Sequence, residues 1–132
     1  MVLGILYYAG SDECPVLKKL TENFDAITNA NQETSIKSDI KLADFLPKDK
    51  TIFYRYRGSL TTPPCAETVT WIVFSNMNYV GQSQMKKYRS LLGHDKKPMS
   101  NIRDLQPLNG RKIEVSDAKS CNAPKLIDEA AE

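Results

Sequence analysis

The sequence predicts a mainly β fold with a few short helices, of the α+β class. Three observations predict it. Two segments, Thr51–Arg57 and Glu67–Ser75, alternate residue by residue between two faces, as half-buried strands do. The run "VLGILYYA" at Val2–Ala9 is nearly continuous in apolar residues, the pattern of a strand buried on both faces. Apolar residues recur at helical spacing in two places, after Cys14 and after Gly81.

Each element follows in order. Val2–Ala9 is expected to be a central strand, closed by the breaker "GSDECP". From Pro15 to Ala30, Val16, Leu17, Leu20, Phe24 and Ile27 line one side of an amphipathic helix, with Pro15 suited to its first turn. Asn31–Lys41 is polar and reads as loop, and "LADFLP" as a short apolar turn or edge. In Thr51–Arg57, Ile52, Tyr54 and Tyr56 oppose Phe53, Arg55 and Arg57. "GSLTTPPC" must then turn, because Gly58 and two prolines cannot continue a ladder. In the next strand Val69, Trp71 and Val73 share a face. "QSQMKKYRSLL" is a helix with Met85, Tyr88, Leu91 and Leu92 on its buried side and Ser83 as its N-cap. "RKIEVS" is a last strand, and the polar residues 117–132 are expected to form a flexible tail.

Composition narrows the function classes. The chain has 132 residues, within the range of one domain. Its net charge is +2 and its basic residues are mixed with acidic ones, which argues against nucleic-acid binding. No apolar run reaches the length of a membrane span, and "MVLGILYYAG" lacks the charged start of a signal peptide. The three cysteines, Cys14, Cys65 and Cys121, and the one histidine, His94, are scattered singly. Zinc modules supply ligands in closely spaced pairs, so these four do not read as a metal site.

The motifs resemble the α-class carbonic anhydrases. "YRYRGSLTTPPCAETVTWIVF" is similar to that family's Gly-Ser-Leu-Thr-Thr-Pro-Pro segment and the Thr-Trp strand after it. "VLGILYYAG" resembles its central Val-Leu-Gly-Ile strand, "MKKYRSLL" a late helix, and "DLQPLNGRKI" its closing motif. The resemblance runs from Val2 to about Val115 but corresponds to the C-terminal half of the family's domain. It implies a partial, twisted, mostly antiparallel sheet lacking its N-terminal half.

The resemblance also implies a chemistry: reversible hydration of carbon dioxide to bicarbonate by a zinc-bound hydroxide. Zinc makes that hydroxide available by lowering the pKa of water from about 15.7 to about 7. Three histidines hold the metal in the family, and this sequence has one histidine. No bound zinc is therefore expected for this chain, and it is expected to be inactive alone, as a truncated or incomplete enzyme. The alternative is a zinc-free, carbonic anhydrase-related protein-binding module. By the resemblance, Thr61 orients the hydroxide, which is a matter of preorganisation. Thr62 lines the polar side of the substrate position, and Leu60, Val2 and Trp71 its apolar side. Arg111 matches a structural arginine, and Arg57 stands where many relatives have proline. Cys65 matches a position used for a disulfide in secreted and membrane-bound members, which favours an extracellular lineage. A truncated sheet would also expose a strand edge open to self-association.

Overall fold

The computed structural model describes residues 1–117 and the backbone of Lys125–Ile127. Cys121 and most of the expected tail lie outside the described residues. The chain divides into two compact units. One comprises Met1–Leu6, Pro47–Met77 and the described residues from Asn101; the other comprises Tyr7–Leu46 and Asn78–Ser100.

The first unit holds a five-stranded sheet. Its strands are β1 (Val2–Gly4), β3 (Ile52–Gly58), β4 (Val69–Phe74), β6 (Ile113–Asp117) and β7 (Lys125–Ile127). Their order is β1-β4-β3-β6-β7, with β1 parallel to β4 and the other pairs antiparallel. The β3–β4 register sets Tyr56 opposite Trp71 and Gly58 opposite Val69, while Val2 is Trp71's partner across β1. Period-two alternation therefore places Val2, Tyr56, Gly58, Val69 and Trp71 on one face. The other face carries Phe53 edge-on to Phe74, with ring centroids 6.4 Å apart, and the ion pair Arg55–Glu114 at 3.2 Å. The Arg55 and Glu114 side chains are 53% and 38% exposed, so their pair contributes at most about 1 kcal/mol.

The second unit pairs two short parallel strands, β2 (Tyr7–Gly10) and β5 (Asn78–Gly81), beside helices α1 (Pro15–Thr21) and α2 (Gln82–Arg89). Its core is Cys14, Leu17 and Val80, flanked by Leu20, Phe45, Met85 and Tyr88 among others. Gln84, 1% exposed, ties the unit together. Its Oε1 accepts from the Cys14 and Gly81 amides at 2.8 and 3.0 Å, and its Nε2 donates to the Cys14 carbonyl at 2.8 Å. Gly81 is required at this junction: a Cβ there would lie 2.9 Å from the Asp12 carbonyl oxygen. Burial, then the neighbouring Tyr7 and Cys14, push the Tyr88 hydroxyl above its ordinary pKa.

Several expectations are corrected here. Val2–Ala9 is not one central strand. It breaks after Gly4 into β1 and β2, which belong to different sheets. Nor is it buried on both faces, since Leu3, Leu6 and Tyr8 are 44%, 46% and 52% exposed. Among the described residues β1 is an outer strand, so the apolar run reflects two short edges rather than one buried element. The first helix stops at Thr21, where the Asn23 side chain donates to the Lys19 carbonyl at 2.9 Å and competes with further helical turns. Phe24–Ile27 continues as a separate 3-10 turn. Gly81, not Ser83, caps α2; the Ser83 hydroxyl donates to Glu13 instead. That bond first, and Lys18 next, hold the Glu13 carboxyl below its ordinary pKa.

Candidate active-site loop

The loop Gly58–Cys65 leaves β3 and returns towards β4 by side-chain and backbone anchors. The Leu60 amide donates to the Ala66 carbonyl at 3.0 Å and the Cys65 amide to the Thr62 carbonyl at 2.9 Å. The Pro63–Pro64 peptide is cis, and Cys65 takes a left-handed φ of 57°. The Trp71 indole donates to the Ser59 carbonyl at 3.1 Å. Gly58 lets the indole reach that position, because a Cβ on residue 58 would sit 3.0 Å from Trp71 Cδ1. Arg103 grips the other side, with Nη1 2.8 Å from Ser59 Oγ and 3.4 Å from the Leu60 carbonyl. Arg111 donates to the carbonyls of Arg57, Pro107 and Leu108 at 2.9–3.0 Å, which ties the segment before β6 to the end of β3.

Of the residues expected at a site, Thr61 and Trp71 line one cleft of about 420 Å³, together with Tyr56, Ser59, Leu108 and Ile113. Val2 adjoins Trp71 in the sheet register. Leu60 is 40% exposed, Thr61 and Thr62 are exposed, and neither Leu60 nor Thr62 borders that cleft. Arg103 was not legible as a loop anchor. It lies in an irregular segment, and without periodicity the sequence does not say which backbone it will meet. A closing "QPLNGR" motif beside it was the available signal.

The chain does not supply a zinc site among its described residues. No group of three or more His, Cys, Asp or Glu side chains is placed to hold a metal. His94 is exposed in the turn Gly93–Lys97 of the second unit, and Cys14 and Cys65 carry free thiols. No helix among the described residues is long and apolar enough to cross a membrane.

The strand pair that frames a Gly-Ser-Leu-Thr-Thr-Pro-Pro loop, with an indole and an arginine pinning it, defines a class. The family model for eukaryotic-type carbonic anhydrase matches residues 1–117. The chain belongs to that family. A carbonic anhydrase of Dunaliella salina is 38% identical over 117 residues, covering 85% of this chain and 20% of the relative. The solved α-carbonic anhydrase of Thermovibrio ammonificans, in complex with the inhibitor sulfanilamide, superposes with a TM-score of 0.73 at 35% identity. That match covers 84% of this chain and 45% of the other. The α-carbonic anhydrase of Photobacterium profundum gives 0.70 at 33% identity, covering 83% and 46%. The chain spans less than half the length of each of these proteins.

These matches correct the expectation of a C-terminal half only, and with it those of a sheet lacking its N-terminal half and of a truncated or incomplete enzyme. The family match begins at residue 1, the structural matches run over 83–84% of the chain, and ordered strands begin at Val2. Family character thus extends over nearly the whole of this chain, and β1 takes its place in the sheet through its pairing with β4.

Proposed function

We propose that this chain presents the substrate-side loop of a carbonic anhydrase site without the metal ligands, and does not hydrate carbon dioxide by itself. The observation that carries this reading is the contrast between the two halves of the chemistry. The Thr61 loop is built and anchored, while no metal-donor cluster stands among the described residues. An open zinc site needs three protein ligands, and without one no hydroxide forms at neutral pH. Thr61 then supplies a hydroxyl able to accept and donate, and Thr62 a second one beside it. Val2, Leu60 and Trp71 supply apolar surface suited to carbon dioxide, and bicarbonate is the corresponding product.

The test uses the purified full chain, dialysed after exposure to zinc. Metal content is measured first, and carbon dioxide hydration is then followed by stopped flow with and without sulfanilamide. The expected result is well under one zinc per chain and no sulfanilamide-sensitive rate. One zinc per chain with a sulfanilamide-sensitive rate overturns the reading.

A second reading, a metal-free binding module, is favoured by β1. Among the described residues its backbone pairs with β4 alone, and Met1 and Leu3 are 82% and 44% exposed. The occupant on this reading is a second copy that adds its own β1 to the open edge. Light scattering on the same preparation should then show a dimer that Leu3→Lys dissociates; a monomer at every concentration refutes it.

A further inference from the structure

An adjoining cleft in the first unit, of about 260 Å³, is bordered by Arg57, Ser59, Glu67, Arg103, Asn109 and Arg111 among others, and shares Ser59, Arg103 and Arg111 with the Thr61 cleft. Three guanidinium groups against one carboxylate leave a formal charge of +2. The ion pairs Lys18–Glu13, Arg55–Glu114 and Lys87–Asp25 leave all three of these arginines out. Arg103 and Arg111 are instead fixed by neutral acceptors. Arg103 donates to the Ser59 hydroxyl and the Leu60 carbonyl, and Arg111 to three carbonyls. Such bonds immobilise a charge without cancelling it, and they leave guanidinium donors unused. Arg57 is exposed, and its carbonyl is one of those that Arg111 holds. Two positioned arginines and the exposed Arg57 thus border a single small space, with Ser59 and Asn109 beside them. A cleft lined by one sign of charge concentrates the opposite ion, and forked guanidinium groups bind the oxygen pairs of oxyanions.

We propose that this cleft binds a small, doubly charged tetrahedral oxyanion of the sulfate or phosphate class. The charge of the ligand matches that of the cleft. Its tetrahedrally arranged oxygens suit donors arriving from several directions, whereas a planar carboxylate offers one edge. The volume is below the roughly 300–1,000 Å³ typical of larger organic ligands. The net positive charge attracts a dianion about twice as strongly as a singly charged anion at the same position, and Glu67 reduces both in proportion. The proposal is independent of the role given to Thr61.

Sodium sulfate is titrated calorimetrically into the full chain, with ionic strength held constant by sodium chloride. One saturable site is expected, weakened at least tenfold by Arg57→Ala and unchanged by Arg55→Ala, whose charge is already paired with Glu114. In the unmodified chain, the Nε–Hε resonances of Arg57, Arg103 and Arg111 are expected to shift with sulfate while that of Arg89 stays still. This second readout does not depend on any variant folding. No saturable binding above chloride overturns the proposal. So does an equal loss from Arg55→Ala and Arg57→Ala, which would mark a general charge effect. Inorganic phosphate is expected to compete with sulfate, and tighter binding of bicarbonate than of sulfate overturns the assignment to a dianion.

Discussion

Gly58→Ala tests whether the Trp71 indole positions the loop that carries Thr61. The added methyl carbon would lie 3.0 Å from Trp71 Cδ1, 3.3 Å from Nε1 and 3.4 Å from Tyr56 Cε2. Carbon atoms pack comfortably at about 3.5–4.0 Å, so the indole must retreat by about half an ångström. That movement carries the Nε1–Ser59 bond from 3.1 Å to the edge of useful hydrogen bonding. Overpacking of this kind costs about 1–3 kcal/mol, and a lost hydrogen bond accounts for about 0.5–1.5 kcal/mol of it. Restricting the unfolded chain offsets about 0.4–1 kcal/mol. A net loss of about 1–2 kcal/mol is expected, a sizeable share of the roughly 5–15 kcal/mol that stabilises ordinary domains. Urea unfolding followed by fluorescence measures it directly, because Trp71 is the chain's one tryptophan. Native emission should also shift as the indole loses its acceptor. The same substitution in a Trp71→Leu background, followed by circular dichroism, should cost less by about 1 kcal/mol or more, the coupling expected of residues in contact. An unchanged midpoint with unchanged emission would refute the argument, as would equal costs in the two backgrounds.

Two further predictions concern the second unit. Gln84→Ala strands the Gly81 and Cys14 amides in a buried place, and each unpaired group costs about 1–3 kcal/mol, while the Cys14 carbonyl keeps the Lys18 amide as its donor. Hydrogen exchange should therefore accelerate at the Cys14 and Gly81 amides, and retained protection there would mean the glutamine is dispensable. Tyr88 has a folded-state pKa raised above its ordinary value of 10.0, so the unfolded state loses that proton first. Its contribution to stability is complete below pH 10.0 and is lost as pH rises through the folded pKa. Tyr88→Phe should flatten the loss of stability above that pH; an unchanged alkaline slope in the variant would show that Tyr88 does not set it.

By itself the sequence determined the strands β3 and β4, because each alternates over its full length and the period-two pattern needs no tertiary information. It determined the turn between them, because two prolines exclude a continued ladder, although Gly58, expected in the turn, still pairs with Val69 as the last residue of β3. It determined the family as well, through motifs whose order and residue types are local. The partition of Val2–Ala9 was decided only by tertiary structure. A short apolar run fits a doubly buried strand and two short edges equally well, and only the pairing with β4 and β5 separates them. The end of the first helix was set locally, by an Asn23 side chain that outcompetes a periodicity continuing to Ile27, and the apolar spacing alone did not show it. Tertiary structure placed Thr61 with Trp71 in one cleft while leaving Leu60 and Thr62 off its border. It brought Arg57, Arg103 and Arg111 together as well. Charges that stand far apart in an irregular sequence become one electrostatic feature only when the backbone carbonyls that anchor them are in place.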